Sequence, residues 1–506
     1  MLGGFAGRMA PAFPDNTKFV NFSGSISMDA LRGRIVVLDF WTYCCINCMH
    51  MVPVFKHVED RRRDGRVVFV GIHSAKFDGE NDEANVAEAI ARYGISHPVV
   101  LDKDRRIWKA YSVNAWPTIV IVDSDGIVRY RKAGEQSEAQ LEEEIRKIEI
   151  RVRKHPASGR RLSRISWVRK SAVRNRESFL NFPSKISFRG GHGGAFALSD
   201  SGNGRILIGW IKGNEAEVSD IIGNGRFNGK PMKSASFANP QGLCWLSDGR
   251  ILVSDTGNHS LKAISIGSKK GVQTVAGTGK KGQYVRFGRR MEGLKTDMNS
   301  PWDVTFSEWE GLAFIAMAGL HQIWTLDLEN GYLEVFAGNG YENLIDDRRS
   351  NAEFAQPSGI FAYGKRVYTA DSESSSIRSI PLDLDFVSTI IGRGLFVYGD
   401  KAGQLPDAML QHPMGICKEG KKIYVADTYN GAVKVIDEER KNVTRLVGRP
   451  HAGSECRFGD KECDGFGLYE PNDVKVYRGQ LYITDTNNHM LRVFDLSRKV
   501  LKTVMK

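Results

Sequence analysis

Apolar residues in the first 150 positions alternate between short continuous runs and segments of helical periodicity. Residues 35–40 form an apolar run interrupted only by Asp39, which is typical of a strand covered on both faces of a sheet. The same pattern predicts further strands at 67–72, 98–101, 118–122 and 127–131, and helices at 45–63, 81–93 and 136–150. The order predicts a compact α/β domain that ends near residue 150.

A different pattern begins after residue 178, where short apolar strands are separated by glycine-rich turns. The segment Asp-(Ser/Thr)-x-Asn, with an aliphatic residue six positions after the Asp, recurs in this part. Its copies begin at Asp200, Asp255, Asp427 and Asp485, with a weaker copy at Asp371. Consecutive copies are about 55 to 58 residues apart, or twice that, so we expect a degenerate copy near residues 313–317.

A second marker supports the same repeat. This marker is the four-residue pattern Pro-x-(Gly/Asp)-aliphatic, which lies about fifteen positions before a copy of the repeat. It begins at Pro240, Pro301, Pro357, Pro413 and Pro471. Each repeat has room for roughly four strands, which is typical of propeller blades. We therefore predict six blades over residues 179–506. The recurrence of the Asp in blade after blade indicates a turn-capping role rather than ligand binding.

Length and charge add a boundary between these two parts. The 506 residues exceed what one core usually supports, and 53 glycines against 16 prolines favour tight turns. The net charge of +12 is concentrated in residues 151–176, which contain ten Lys or Arg and no Asp or Glu. We interpret residues 151–178 as a solvated basic linker, and an acidic partner such as a lipid surface or nucleic acid is the alternative.

Targeting signals are sparse in this sequence. No run of 18 apolar residues occurs, so we expect no membrane span, and residues 1–14 lack a basic segment followed by an apolar core. Seven cysteines, three of them crowded at positions 44, 45 and 48, argue against a secreted disulfide framework. The expected location is cytoplasmic, with an organelle lumen as the alternative if a targeting segment was removed.

The crowded cysteines stand in the segment Phe40-Trp41-Thr42-Tyr43-Cys44-Cys45-Ile46-Asn47-Cys48, where a predicted strand leads into a predicted helix. The pair Cys45-x-x-Cys48 at the helix start resembles the active site of the thioredoxin fold. A thiolate in that position meets unpaired backbone N–H groups and the positive end of the helix dipole, which lowers its pKa. The resemblance implies that Cys45 is the nucleophile and that Cys48 resolves the mixed disulfide.

Other positions match the thioredoxin pattern as well. Asp39, six residues before Cys45, stands where that fold keeps a buried acid that accepts a proton from the resolving thiol. Pro53 matches the kink of the helix, and Trp116-Pro117 matches the cis-proline loop beside the dithiol. The resemblance assigns catalysis to Cys45, Cys48 and Asp39. It assigns client binding to the residues around them: Trp41, Cys44, Ile46, Asn47, Trp116 and Pro117.

The motif also departs from the thioredoxin pattern. Cys44 stands where thioredoxins have tryptophan, and Ile46-Asn47 replaces Gly-Pro, so the size and direction of the change in redox potential are open. Cys44 could form an alternative disulfide, accept glutathione or fill a packing position. Two further alternatives concern the whole motif. The cysteines could stay reduced and take no part in catalysis in a thioredoxin fold that only binds partners, or the three thiols could bind zinc. We expect no metal and no cofactor.

The thioredoxin-like motif followed by Asp-Thr-x-Asn blades resembles the NHL-repeat-containing protein 2 family over almost the whole chain. The resemblance implies a multidomain fold that combines an α/β and an all-β part. Its parts are a thioredoxin-like domain at 1–150, the linker at 151–178 and a six-bladed NHL β-propeller at 179–506. Members of that family continue into a further β-rich domain, so we expect this sequence to be a shortened or minimal form.

The resemblance implies a thiol-disulfide oxidoreductase acting on protein thiols, with the propeller selecting the client. The expected partners are proteins with reactive thiols or disulfides, and no specific nucleic acid. The alternative is a redox-inactive or redox-regulated scaffold, which binds proteins through the propeller and a cleft between the two domains.

Overall fold

A computed structural model of the chain describes residues 7–15, 17–24, 26–62, 64–154, 168–169, 178–191, 193–213, 215–267, 270–448 and 467–506. The chain divides into two compact units, Met1–Arg176 and Glu177–Lys506. Within the described residues, no helix is long and apolar enough to cross a membrane.

The first unit is built on a five-stranded sheet. In chain order its elements are β1 (Phe22–Ser23), β2 (Ile35–Trp41), α1 (Ile46–Asp60), β3 (Val67–His73), α2 (Glu83–Tyr93), β4 (Val99–Leu101), α3 (Arg106–Ala110), β5 (Thr118–Val122), β6 (Val128–Ala133), α4 (Glu138–Lys154) and β7 (Val168–Arg169). The order of strands in the sheet is β4-β3-β2-β5-β6. β2 is parallel to β3 and antiparallel to β5. The strand that precedes the cysteines therefore lies at the centre of the sheet.

Both faces of β2 are covered. Val37 belongs to the core that includes Phe55 of α1 and Ile145 of α4, whereas Leu38 belongs to the opposite core with Ile107 of α3. All seven residues of β2 are buried as a result. Burial on both faces explains the continuous apolar run in the sequence, and it makes Asp39 the exception.

The predicted elements of this unit are confirmed, with shifts at their ends. α1 contains Pro53 as expected. α2 begins at Glu83 rather than at position 81, because Asp82 caps it by accepting the backbone N–H groups of Ala84 and Asn85. The hydrophobic pattern does not predict α3, since five residues are too few to show a helical period.

The basic segment 151–178 differs from the predicted linker where it is described. α4 continues to Lys154, so the first four residues of the segment are helical. Val168 and Arg169 form β7, which pairs antiparallel with β1. Residues 155–167 and 170–177 lie outside the described residues. Residues 151–154 and 168–169 therefore belong to the fold of the first unit, whereas Ser178 belongs to the second unit and donates its hydroxyl to the His489 carbonyl at 3.1 Å.

The described residues of the second unit form six β-sheets, one for each blade, which confirms the predicted propeller. The blades comprise β8 (Pro183–Phe188), β9 (Ala195–Asp200), β10 (Arg205–Lys212), β11 (Glu215–Gly223), β12 (Arg226–Phe227) and β13 (Lys230–Pro231); β14 (Pro240–Trp245), β15 (Ile251–Asp255), β16 (Ser260–Ser265) and β17 (Gly271–Ala276); β18 (Arg290–Glu292), β19 (Pro301–Ser307), β20 (Leu312–Met317), β21 (Gln322–Asp327) and β22 (Tyr332–Ala337); β23 (Pro357–Tyr363), β24 (Arg366–Asp371), β25 (Ser376–Pro381) and β26 (Ser388–Ile391); β27 (Gly403–Gln404), β28 (Gly415–Glu419), β29 (Lys422–Asp427), β30 (Ala432–Asp437) and β31 (Asn442–Val447); and β32 (Pro471–Tyr477), β33 (Gln480–Asp485), β34 (Met490–Asp495) and β35 (Val500–Met505). Short extra strands extend the first, third and fifth blades beyond the predicted four.

The Asp of each copy of the repeat ties its own blade together. Its carboxylate accepts a backbone N–H from the segment just before the first long strand of the same blade, at 2.6 to 2.8 Å. The donor and acceptor pairs are Asn181 and Asp200, Ala238 and Asp255, Ala355 and Asp371, Gln411 and Asp427, and Tyr469 and Asp485. These bonds confirm the structural role that the repetition predicts.

The Ser or Thr that follows this Asp ties neighbouring blades together. Its hydroxyl donates to the carbonyl of the marker proline in the next blade: Ser201 to Pro240, Thr256 to Pro301, Ser372 to Pro413, Thr428 to Pro471 and Thr486 to Pro183. Since Pro183 belongs to the first blade, the bond from Thr486 closes the ring. The third blade has Ala318 at this position and so lacks the hydroxyl. His321 Nδ1 accepts the N–H of Gln356 at 3.1 Å, just as His259 and His489 accept backbone N–H groups at junctions that keep the Thr.

Candidate functional site

The cysteines of the motif lie where the chain leaves β2 and enters α1. Cys45 is the N-cap residue of α1, and Cys48 lies in its first turn, with its backbone N–H donating to the Cys45 carbonyl at 3.0 Å. The two residues are 3% and 1% exposed, and neither forms a disulfide. Within the described residues, no three His, Cys, Asp or Glu side chains are grouped to hold a metal ion.

The pKa of the Cys48 thiol is strongly perturbed. Burial raises its pKa well above the ordinary value, and a hydrogen bond with the Cys45 side chain and the negative charges of Cys45 and Asp39 raise it further. Contact with the backbone of Thr42 acts in the opposite direction. Cys48 therefore keeps its proton until a base removes it, which suits a resolving thiol.

Asp39 has the electrostatic properties of such a base. Its side chain is only 6% exposed, and burial raises its pKa to about 7. The charge of His97 lowers the pKa, whereas the charges of Cys45 and Glu59 raise it. A carboxyl that titrates near neutral pH within electrostatic reach of the dithiol can both accept and release a proton.

Glu80 is a residue of this site that the sequence pattern does not reveal. It is fully buried, and its carboxylate accepts the hydroxyl of Thr42 at 2.5 Å and the backbone N–H of Cys44 at 3.0 Å. It also accepts the backbone N–H groups of Lys76 and Phe77 at 2.9 and 3.1 Å. Burial raises the pKa of Glu80 although these hydrogen bonds oppose the shift. Glu80 thus holds the loop that carries the cysteines, and its separation of 36 residues from Cys44 hides it from any local motif.

The loop before β5 leads to Thr118, which pairs with Phe40 near the end of β2 that carries the cysteines. The peptide bond between Trp116 and Pro117 is cis, as the motif predicts. The indole N–H of Trp116 donates to the carbonyl of Ser74 at 2.8 Å, and the ring is 4.3 Å from that of Trp108. The guanidinium of Arg105 lies 5.0 Å from the Trp116 ring, a cation–π contact that fixes the half-buried indole.

The residues that the sequence assigns to client binding differ in exposure. Asn47 and Trp116 are half-buried and reach the surface of the first unit. Trp41 and Cys44 are 2% and 0% exposed, and Ile46 and Pro117 are also buried. In this conformation Trp41 packs against the ring of His73, with ring centroids 5.1 Å apart. The side chains of Asn47 and Trp116 are therefore the accessible part of the predicted set.

Comparisons with known proteins agree with the two units. A thioredoxin-like family model matches residues 33–128, and an NHL repeat model matches residues 237–264. NHL repeat-containing protein 2 of Homo sapiens is 34% identical over 98% of this chain, and the chain covers 71% of that protein. The chain belongs to the NHL repeat-containing protein 2 family. The two family models match this chain in the order that the fold displays, with the thioredoxin-like part before the NHL repeat.

Two further relatives show how far the similarity extends. Protein SUPPRESSOR OF QUENCHING 1, chloroplastic, of Arabidopsis thaliana is 37% identical over 96% of this chain, which spans 47% of that plant protein, about half its length. Thiol-disulfide oxidoreductase ResA of Bacillus thuringiensis is 29% identical over 24% of this chain and 68% of its own length. The thioredoxin-like part of this chain is therefore similar to a thiol-disulfide oxidoreductase.

Proposed function

We propose that this member of the NHL repeat-containing protein 2 family is a thiol-disulfide oxidoreductase that acts on protein thiols. One arrangement carries the proposal: Cys45 caps α1, Cys48 is hydrogen-bonded to it one turn into the helix, and both lie within electrostatic reach of Asp39. The elevated pKa of Cys48 requires a base, and Asp39, with a pKa of about 7, supplies one.

In the proposed reaction the dithiol transfers two electrons to a client disulfide. The Cys45 thiolate attacks one sulfur of the client, forms a mixed disulfide and releases the other client sulfur as a thiolate. Cys48 then loses its proton to Asp39 and attacks the Cys45 sulfur. The client leaves with both sulfurs reduced, and the protein retains a Cys45–Cys48 disulfide. The reverse sequence oxidises a client dithiol.

Client recognition is assigned to two surfaces. Asn47, which stands between the two cysteines in the chain, and Trp116 are the accessible members of the predicted set and are proposed to contact the client. Trp116 is fixed by its hydrogen bond to Ser74 and by Arg105, so it offers a preorganised aromatic contact. The propeller supplies the larger protein-binding surface and selects the client. We propose the cytoplasm as the compartment and an organelle lumen as the alternative.

A redox-regulated scaffold is the second candidate function. It is favoured by the burial of the motif, since Cys44, Cys45 and Cys48 are 0%, 3% and 1% exposed. In that case the propeller binds a partner, and the state of the dithiol modulates the binding. Partner binding that persists in Cys45→Ser supports the scaffold, whereas loss of a redox-dependent function supports the oxidoreductase.

The midpoint potential of the dithiol tests the proposed function. The full chain is equilibrated in glutathione or dithiothreitol buffers of set ratio, the free thiols are trapped, and peptides are identified by mass spectrometry. We expect a reversible two-electron couple between Cys45 and Cys48 with a midpoint of roughly −270 to −120 mV, the range of thioredoxin-fold oxidoreductases. Failure to form this disulfide at any accessible potential contradicts the oxidoreductase.

Three variants serve as controls for the same measurement. Cys45→Ser should abolish the couple, and Cys48→Ser should leave a stable mixed disulfide with glutathione at Cys45. Cys244→Ala removes a buried thiol in β14 of the propeller and should leave the midpoint unchanged. A disulfide that includes Cys44 in the wild-type protein would identify the alternative pairing that its position allows.

A further inference from the structure

His97 connects the surroundings of Asp39 with the surface of the first unit. It precedes β4 and is 7% exposed, and its Nδ1 lies 3.2 Å from Oε1 of Glu59. Glu59 belongs to the last turn of α1, where its side chain is 17% exposed and its Oε2 accepts the hydroxyl of the exposed Ser96 at 3.1 Å. The imidazole thus faces the interior with Nε2 and a partly solvated carboxylate with Nδ1.

Gly71 opens a notch between Asp39 and His97. Asp39 and Gly71 are paired residues of the parallel strands β2 and β3, so their side-chain positions are neighbours on one face of the sheet. A Cβ atom on Gly71 would lie 3.0 Å from Trp41 Nε1 and 3.3 Å from His97 Nε2. A side chain at position 71 would therefore press against Trp41, Val99 and His97, whereas glycine keeps this position free of a side chain.

Three buried polar atoms around this notch have no hydrogen-bond partner among the described residues: Asp39 Oδ1, Trp41 Nε1 and His97 Nε2. A buried polar atom without a hydrogen bond destabilises the fold, so a group of three calls for a shared partner. One water molecule can bond to two to four polar groups, so a single water can serve all three of these atoms.

The charges around the notch favour a proton on the imidazole. Burial lowers the pKa of His97, but the hydrogen bond and charge of Glu59 and the charge of Asp39 outweigh burial and raise it. The titratable groups that act on Asp39 are His97 and, from α1, Cys45, Cys48 and Glu59. On either side of Asp39, β3 presents Gly71 and β5 presents Ile119.

We propose that His97 and Glu59 form a proton path that, through a water molecule in the Gly71 notch, connects Asp39 with the solvent. The inference rests on the proposed function, since it concerns the base of the dithiol reaction. His97 and Glu59 are positioning residues in this scheme, because they touch neither the client nor the sulfur atoms.

The path carries one proton from Cys48 to the solvent when the dithiol is oxidised, and one proton back when the disulfide is reduced. In molecules whose His97 is neutral and carries its proton on Nδ1, the proton of Cys48 passes to Asp39 and through the water to Nε2. The imidazolium formed, which the charges of Glu59 and Asp39 stabilise, then releases its Nδ1 proton to Glu59 and solvent. His97 is left as the Nε2–H tautomer. When the disulfide is reduced again, Nε2–H returns a proton to Asp39 and Nδ1 takes one from Glu59, which restores the first tautomer.

Two readouts on the full chain test this path. The first is the titration midpoint of Asp39 in the reduced protein, followed by NMR of ¹³C-labelled aspartate and assigned with Asp39→Asn. In His97→Gln the midpoint should rise above the wild-type value by roughly one to three pH units, because a compensating positive charge is lost. Glu59→Gln should shift the midpoint less than His97→Gln does, because it removes a negative charge that raises the Asp39 pKa and also makes the imidazolium less stable, and these two effects oppose each other.

The second readout is the rate at which a preformed Cys45–glutathione mixed disulfide is resolved, measured from pH 5 to 9. With a wild-type Asp39 pKa of about 7, a rise of one unit reduces the ionised fraction at pH 7 roughly fivefold, and His97→Gln should slow resolution at least that much. Gly71→Ala fills the notch without removing a charge, so it should slow resolution while the Asp39 midpoint changes little.

His57→Gln is the matched control. His57 lies on the same helix as Glu59 and pairs with Glu138 at 3.2 Å, but its side chain is 64% exposed, so both readouts should stay at wild-type values. The proposal is overturned if folded Glu59→Gln and Gly71→Ala proteins resolve the mixed disulfide at the wild-type rate across the pH range. These two variants decide the question even if His97→Gln does not fold.

Failure of this path is distinguishable from failure of the proposed function. The wild-type midpoint potential alone tests the Cys45–Cys48 couple. The titration of Asp39 requires no turnover, so an unchanged Asp39 midpoint in folded His97→Gln overturns the path even where the redox couple is present. A shifted midpoint in a protein without the couple keeps the electrostatic link and removes only the oxidoreductase.

Discussion

At the scale of single residues, Asp39 stands out because it is the ionisable residue of a buried central strand. The other six residues of β2 are apolar, and the strand is buried on both faces. The carboxyl is therefore neutral over part of the pH range in which the unfolded chain would ionise it. This difference couples the folding free energy of the first unit to pH.

Asp39→Asn should stabilise the first unit at alkaline pH. Because the folded pKa of about 7 exceeds the ordinary 3.8, the wild type loses stability as pH rises from about 4 to 7, by at most about 4 kcal/mol. The Asn side chain does not ionise, so the variant should have the higher free energy of unfolding at pH 8, and its advantage should shrink towards pH 4. Urea unfolding at both pH values measures this. An advantage that is independent of pH would contradict the burial of an ionisable Asp39.

Glu80→Ala should weaken the loop that carries the cysteines. The change leaves the Thr42 hydroxyl and three backbone N–H groups, including that of Cys44, without their buried acceptor. We expect a loss of roughly 2 to 4 kcal/mol in the free energy of unfolding of the first unit, together with an altered Cys45–Cys48 midpoint. Thermal unfolding and the redox titration measure the two effects. Glu83→Ala, at an exposed position in α2, should change stability by less than about 1 kcal/mol.

At the scale of elements, the sequence pattern predicts what depends on neighbouring residues. The period of apolar residues identifies β2 and α1, and the chain between them is short enough to place the dithiol at the start of the helix. The start of α2 is less predictable, because it depends on which acidic residue caps the helix. In the propeller, the two markers occur together because the Ser or Thr of one blade bonds to the proline of the next.

Thr256→Val should reveal the contribution of one bond between blades. The substitution removes the hydroxyl but keeps the shape, so the carbonyl of Pro301 loses its donor in a buried place. The free energy of unfolding of the second unit should fall by roughly 1 to 2 kcal/mol. Thr274→Val in β17 is the control at a half-buried position, and we expect a change within about 0.5 kcal/mol. Equal effects of the two substitutions would show that the hydroxyl of Thr256 does not join the blades.

Ala318→Ser is the reverse experiment at the junction that lacks the hydroxyl. Ala318 occupies the position of Thr256 in the third blade, at the start of an equivalent turn. A serine there should donate to Pro357 and raise the free energy of unfolding by roughly 0.5 to 1.5 kcal/mol. Chemical unfolding of the second unit compares the variant with the wild type. A fall in stability would mean that His321 and Gln356 already fill the space at this junction.

At the scale of the whole second unit, a buried lysine joins blades that are far apart in the chain. The first long strands of the blades contact one another around the ring. Lys185 of β8 is 1% exposed, donates to the carbonyl of Met414, and lies 3.6 Å from Asp303 of β19 and 3.9 Å from Asp473 of β32. Burial raises the pKa of Asp303, whereas the charge of Lys185 lowers it. The cation therefore supports the ionised form of this carboxylate.

Lys185→Met should destabilise the propeller in a manner that depends on pH. Removing one partner from a buried cluster of charges costs roughly 3 to 5 kcal/mol at pH 7, because the carboxylates lose a compensating cation. The loss should be smaller near pH 4, where Asp303 binds a proton more readily. Unfolding at the two pH values tests this, with Lys212→Met as the control, since its pair with Glu217 is 65% and 57% exposed. A loss that is equal at both pH values would point to packing rather than charge.

The sequence by itself determined the two-part architecture, the number of blades and the position of Cys45 and Cys48, because each depends on residues that are close in the chain or on spacings that recur. Only the tertiary structure decided which distant groups meet. Glu80 reaches the loop of the cysteines, His97 and Gly71 lie beside Asp39, and these contacts leave no local pattern. The tertiary structure also decided the protonation chemistry, because the pKa of a carboxyl or thiol depends on burial and on charges that only folding brings near.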